Sequence, residues 1–239
     1  MQQPPPLTAA HALFLDFDGT LAELAPHPDA VQVAPGLIGQ LGLLQQRLQG
    51  ALAVVTGRPL ADVDRFLHPL QLPAAFEHGA HYRWPDGSTH TSHPPDLAPV
   101  LLAAQQLAAR HPPLLVEAKR ASVALHYRAA PELEALCEAV MTQALESTQG
   151  LELMPGKCVL EVKAQGVDKG RAIADFMERA PYAGRIPVFA GDDVTDEKGF
   201  AAVQALGGWG IKVGGGTTTA QYRCASPEGV RIWLQTLKG

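Results

Sequence analysis

Cysteine is scarce in this chain of 239 residues; there are three, Cys137, Cys158 and Cys224. An odd number without metal-ligand spacing argues against a disulfide framework. It fits a reducing compartment, and a cytoplasmic location is the expectation. Basic runs are also missing, and the formal net charge is -5. The electrostatic footprint of a nucleic-acid binder is therefore absent. Met1-Gln2-Gln3-Pro4-Pro5-Pro6 has no basic residue and no long apolar stretch. It reads as a short extended tail, not as a signal peptide or a membrane span. No internal repeat or extended low-complexity segment is evident. What remains is a chain with 46% apolar residues, enough for a normal core. The length suits one or two domains, and a monomer is expected.

The richest stretch is Ala12-Leu13-Phe14-Leu15-Asp16-Phe17-Asp18-Gly19-Thr20-Leu21. Ala12 to Leu15 is a short apolar run, as in a fully buried parallel strand. Two carboxylates follow at i and i+2, then a glycine that permits a sharp turn. In extended backbone i and i+2 project to one side, so Asp16 and Asp18 converge if the strand geometry persists that far. Unpaired carboxylates so placed repel, and one is pushed towards protonation. A hard cation such as Mg²⁺, which takes oxygen ligands, removes the problem. A strand-end turn with acidic caps is the ordinary alternative.

Three further segments carry chemistry at similar places. Val54-Val55-Thr56-Gly57-Arg58 is an apolar strand ending in a hydroxyl. Asp168-Lys169-Gly170 opens a helix with a lysine. Val188-Phe189-Ala190-Gly191-Asp192-Asp193-Val194-Thr195-Asp196-Glu197 is a strand ending in acids. Singly, each has an ordinary reading: Asp192-Asp193 as a helix N-cap region, Asp196 and Glu197 as first-turn acids that complement the helix dipole. Together they fall where open α/β sheets bind ligands, at the carboxyl edge.

With DxDGT, Thr-Gly-Arg, the lysine and GDDxTDE in this order, the sequence resembles the haloacid dehalogenase-like phosphatase superfamily. The resemblance implies an α/β fold, a Rossmann-like parallel-sheet core with an inserted α+β cap domain. It makes Asp16 the nucleophile, forming an aspartyl-phosphate, and Asp18 the general acid and then base. An acid at position 18 points to fast hydrolysis, hence a phosphatase. Mg²⁺ is expected on Asp16, the backbone carbonyl of Asp18, and Asp192, with Asp193 and Asp196 supporting. Thr56 and Lys169 are expected on the phosphoryl group, the latter at a helix N-terminus that also favours anions. Gly57, Arg58, His78 and Gly79 are expected at the substrate. A zinc reading of the His78-x-x-His81 and His90-x-x-His93 spacings is set aside, because cysteine is absent nearby and the pairs straddle a turn.

The middle of the chain has another rhythm. Tyr82 to Ser88 reads as a hairpin turn flanked by polar strands. Helices are expected at Asp96 to Arg110 and over Leu133 to Leu145, the clearest amphipathic pattern in the chain. Strands are expected at Leu114 to Ala118, Ser122 to Arg128, Leu151 to Met154 and Cys158 to Val162. Residues 83–164 thus read as the inserted cap, and 1–82 with 165–239 as the core. Hinges are expected near Tyr82-Arg83 and Ala164-Gln165-Gly166.

On the cap strands, Leu115, Glu117 and Lys119 share one face, as do Ser122, Ala124, His126 and Arg128, and Val159, Glu161 and Lys163. If these faces lie on one side of the sheet, they form a mixed-charge surface suited to a polyhydroxylated group. A solvated face with rim salt bridges is the alternative. Val116 to Lys119, Ser122 to Arg128 and Pro155 to Glu161 are similar to trehalose-6-phosphate phosphatases. That resemblance implies that Glu117, Lys119, Arg128, Lys157 and Glu161 bind the sugar hydroxyls of trehalose 6-phosphate, the last intermediate of trehalose biosynthesis. Rival expectations are a phosphatase for another sugar phosphate, such as sucrose 6-phosphate, and a phospho-accepting or sugar-phosphate-sensing module. No nucleic acid or membrane is expected as a partner.

Overall fold

The apolar run after residue 11 forms strand β1 (His11–Leu15). Ala12, Leu13, Phe14 and Leu15 have no exposed surface. Successive strand residues point to opposite faces, so both faces of the sheet are covered here, as in a parallel α/β core. The computed structural model describes residues 3–25, 27, 30–91, 96–118, 122–156 and 158–236.

The first stretch continues with α1 (Leu37–Arg47), β2 (Leu52–Val55), α2 (Leu60–Leu67), β3 (Ala74–Phe76), β4 (His81–Arg83) and β5 (Thr89–Thr91). The middle holds α3 (Ala98–Arg110), β6 (Leu115–Ala118), β7 (Ser122–His126), α4 (Glu134–Glu146), β8 (Leu151–Gly156) and β9 (Val159–Ala164). The last stretch holds α5 (Lys169–Met177), β10 (Ile186–Gly191), α6 (Glu197–Ala205), β11 (Trp209–Val213), β12 (Tyr222–Cys224) and α7 (Pro227–Leu234). Two units result: Met1–Thr91 with Asp168–Gly239, and Ser92–Val167.

Among the described residues the first unit has one sheet in the order β12-β11-β10-β1-β2-β3-β4-β5. It is parallel from β12 to β3, and β4 and β5 close it antiparallel. From β1 the chain winds outward through β2 and β3, then returns to the other side of β1 as β10. The order therefore reverses between β1 and β10, which creates a crevice at their carboxyl ends. Helix starts are set locally. Asp168 caps α5 by accepting the Arg171 N–H at 2.9 Å. Ser226 caps α7 through the Gly229 N–H at 3.2 Å, with Pro227 in the first turn. Phe14 packs on Phe176 of α5 and on Tyr182. Each such buried side chain contributes about 1.5–3 kcal/mol.

The second unit has an antiparallel sheet in the order β6-β7-β9-β8. Val123, Leu125, Leu160 and Val162 pack with Val100, Ala104 and Leu107 of α3 and Cys137 and Met141 of α4. Of the pattern expected for α4, Leu136 falls outside this core and is 40% exposed.

Several boundaries differ from the sequence reading. Tyr82-Arg83, expected near a hinge and a junction, lies in β4, paired on both sides. That hairpin extends the large sheet, so the first unit runs to Thr91 and resumes at Asp168. The strand expected to reach Arg128 stops at His126, and Arg128 is exposed in the following turn. The acidic segment after β10 passes through a 3-10 turn, Val194–Asp196, before α6 begins. β12 was not expected, since three residues are too few to show alternation.

Candidate active site

β1 ends at Leu15, whose neighbours across the sheet are Ala190 and Val54. The Asp16 N–H still bonds the Ala190 carbonyl at 2.9 Å. The chain then turns: Phe17 O accepts from the Leu21 and Ala22 N–H groups at 2.9 and 3.0 Å. Gly19 has φ +70°, and a Cβ there would come within 2.1 Å of Asp192 Oδ2. Only glycine fits that approach, and it brings the Asp192 carboxylate against the turn after Asp16.

Lys169, the first residue of α5, donates to Asp16 Oδ1 at 2.7 Å and to Asp196 Oδ1 at 2.6 Å. All three are buried. Asp196 Oδ2 accepts the Asp193 N–H at 2.9 Å, which places Asp193 at the N-cap of the 3-10 turn. Thr20 Oγ1 reaches Asp16 Oδ2 at 3.4 Å. Carboxylate oxygens of Asp16, Asp192 and Asp196 lie within 4.8 Å of one another. Burial pushes the Asp16 carboxyl well above its usual range; Lys169 pulls it down and Asp196 adds to the rise. Burial, then Asp196 and Asp193, lift Asp192 to about 6, while Lys212 and Lys169 oppose the shift. Burial works against the Lys169 charge, but Asp16 and Asp196 outweigh it and its pKa is raised. Three converging carboxylates, two of them bonded to Lys169 and the third, Asp192, half-buried, gather negative charge at one point. That is the donor set of a hard divalent cation.

Asp18 takes a different partner. Arg58 Nε and Nη2 bond its two carboxylate oxygens at 2.6 and 2.7 Å. The guanidinium also lies 5.0 Å from the Phe66 ring centroid and 5.8 Å from that of Phe17. Strand geometry ends before Asp18, and the two carboxylates take different partners. Asp16 turns to the acidic cluster and Asp18 to the loop after β2. Thr56 is buried, and its Oγ1 accepts the Arg58 N–H at 3.2 Å.

Gly57, His78 and Gly79 come together as well. A Cβ on Gly57 would stand 2.7 Å from the His78 ring, and His78 itself has φ +62°. The His78 N–H bonds Thr56 O at 2.9 Å. Gly79, at φ +111°, lies against Ala172 Cβ and Asp168 O beside the start of α5.

The family model described as trehalose-phosphatase matches residues 14–228. The chain belongs to the trehalose-phosphatase family. Trehalose-6-phosphate phosphatase of Escherichia coli (strain K12) is 44% identical over 242 residues, 99% of this chain and 90% of that protein. A structure of Aspergillus fumigatus trehalose-6-phosphate phosphatase is 26% identical with a TM-score of 0.72, covering 97% of each chain. A haloacid dehalogenase-like hydrolase from B. subtilis shares the fold at 16% identity, with a TM-score of 0.65 over 94% of this chain and 99% of that one.

In this family member the second unit presents its polar residues on one side of its sheet. Glu117 and Glu161 are both cross-strand neighbours of Ala124, which is itself buried. His126 Nε2 is 3.0 Å from Glu117 Oε2, and Ser122 Oγ donates to Glu161. Lys119 and Lys157 lie outside the described residues. Two residues escaped the sequence reading of the site. Alternation puts His126 on this face, but a lone histidine there carries no sequence signal of a role. Lys212 is a lone lysine in the apolar strand Gly210-Ile211-Lys212-Val213, and that isolation was its signal. Among the described residues no helix is long and apolar enough to cross a membrane.

Proposed function

We propose that the chain hydrolyses trehalose 6-phosphate to trehalose and inorganic phosphate, with Mg²⁺ as the cation of its acidic cluster. The observation that carries this reading is Asp16, buried at the switch point of a trehalose-phosphatase fold and hydrogen-bonded to Lys169. Unassisted phosphate-monoester hydrolysis is so slow that enzymes supply up to ~10²¹-fold acceleration. Most of that comes from positioning and charge stabilisation.

An Asp16 oxygen attacks phosphorus while the bond to the sugar oxygen breaks. Asp18 gives that leaving oxygen a proton. In the second half Asp18 takes a proton from water, whose oxygen attacks the same phosphorus and releases phosphate and the Asp16 carboxylate. Lys169 and Thr56 hold the phosphoryl oxygens, and Arg58 holds Asp18 in place. Mg²⁺ bound by Asp16, Asp192 and Asp196, with Asp193 and the Asp18 carbonyl in support, would neutralise phosphoryl charge. Gly57, His78 and Gly79 border the substrate. Glu117, Lys119, Arg128, Lys157 and Glu161 of the inserted unit select the sugar, and His126 adds a donor to their face. The enzyme works as a cytoplasmic monomer.

The test is phosphate release from trehalose 6-phosphate, sucrose 6-phosphate and glucose 6-phosphate with MgCl₂ present. Turnover of the first is expected to exceed the others by at least tenfold. Preference for another sugar phosphate overturns the substrate assignment.

A further inference from the structure

Lys212 belongs to none of the groups described so far that meet the phosphoryl or the cation. It is 6% exposed, and its Nζ donates to the carbonyl oxygens of Asp192 and, at 3.1 Å, Val213. The strand register explains the placement. Lys212 lies opposite Gly191, the last residue of β10, so its side chain reaches the point where that strand gives way to the acidic loop. A buried ammonium is costly unless hydrogen-bonded, and its acceptors here are backbone carbonyls.

We infer that Lys212 is a positioning residue for the cation site, fixing the Asp192 backbone so that its carboxylate stays with those of Asp16 and Asp196. The inference rests on reading those three carboxylates as a divalent-cation site. Asp192 has little slack: its carboxylate occupies the space that a Cβ on Gly19 would take. The far end of the acidic loop is tied down separately. Glu197 Oε2 accepts both the N–H and the Oγ1 of Thr219 at 2.8 Å. Arg223 in turn holds the carbonyls of Gly214 and Gly216. The glycine-rich segment after β11 thereby braces the loop that follows β10.

The test exploits two effects of opposite sign. By Coulomb's law alone, deleting an ammonium beside a cation site makes the site bind Mg²⁺ more tightly. Losing an outer-shell anchor weakens metal affinity by about 10–100-fold. Calorimetric titration of MgCl₂ into the full chain without substrate reads the sign directly. Lys212→Met is expected to bind Mg²⁺ at least about 10-fold more weakly than wild type. Lys212→Arg, which keeps a donor and a charge, is expected to recover most of that loss. A methionine variant that melts at a lower temperature yet binds Mg²⁺ as tightly as wild type, or more tightly, overturns the inference, because that is a structural role alone. So does an arginine variant as weak as the methionine one. If Lys212→Met lacks a cooperative melt, Lys212→Ser, which leaves room for water, carries the same readout. If neither melts cooperatively, the lysine is a folding residue and the inference falls. A wild-type chain that binds neither Mg²⁺ nor Mn²⁺ overturns the cation-site reading itself, and the inference with it.

Discussion

Asp16, Lys169 and Asp196 in the first unit are 4%, 3% and 0% exposed, whereas the Glu117 and His126 side chains in the second are 51% and 35% exposed. In the first set Asp16 and Asp196 sit on turns just past buried strands and Lys169 opens α5; the second set stands on the strands themselves. A parallel sheet covered on both faces has no free face, so its chemistry gathers at one edge, on backbone that glycines allow to turn. An antiparallel sheet covered on one face offers the other directly. The buried set shares partners, one lysine bonding two carboxylates, so its members are expected to act as a unit with non-additive losses. The exposed set consists of pairs that are separable one by one.

The largest effect is expected at the edge. Asp16→Asn should reduce turnover of both trehalose 6-phosphate and a small aryl phosphate by at least about 10⁴-fold, since it removes the proposed nucleophile. Chelation with EDTA should abolish both activities, and MgCl₂ should restore them. Loss of one substrate alone would break the division of labour between the units.

Next comes Asp18→Asn, with a loss of about 10²–10⁴-fold, the usual worth of general acid–base catalysis. Its phosphoenzyme should outlive that of the wild type, as read by intact-protein mass spectrometry after rapid quenching. Arg58 sharpens the point. Arg58→Lys keeps the charge but loses the two-pronged grip on Asp18. It is expected to lower kcat about 10-fold or more with little change in KM, in line with loss of one charge-assisted hydrogen bond at about 1.5–3 kcal/mol.

The sequence made the edge more legible than the strand face. Apolar runs ending in Asp16, Thr56 and Asp192 mark buried strands with chemistry at their ends, and the order of β1, β2 and β10 then brings those ends together. Spacing did not reveal that the Asp18 carboxylate is gripped by Arg58. That depends on where β1 stops, which is decided by the Phe17–Ala22 turn. Nor did it reveal that residues 83–91 extend the large sheet, because a polar hairpin reads the same on either unit. On the strand face, alternation correctly separated Glu117, His126 and Glu161 from the apolar Val123, Leu125 and Leu160. It carried no information about which of the polar groups meets a ligand.

Glu161→Ala should therefore cut kcat/KM for trehalose 6-phosphate by about 10–100-fold, the worth of a hydrogen bond to a charged group at about 1.5–3 kcal/mol. The aryl phosphate should change by less than about 3-fold. Equal losses on both substrates would erase the distinction between selecting and reacting residues.

The smallest effect is expected at His126. Its partner Glu117 is half exposed, and ion pairs so placed are worth about 0–1 kcal/mol. His126→Gln keeps a hydrogen-bonding group on the same strand position and removes the ability to carry charge. KM for trehalose 6-phosphate should rise by no more than about 5-fold, with kcat and the aryl phosphate unaffected. A loss as large as that for Glu161→Ala would mean that His126 touches the sugar as directly as the carboxylates do. The exposed face would then be a unit like the buried edge, not a set of separable pairs.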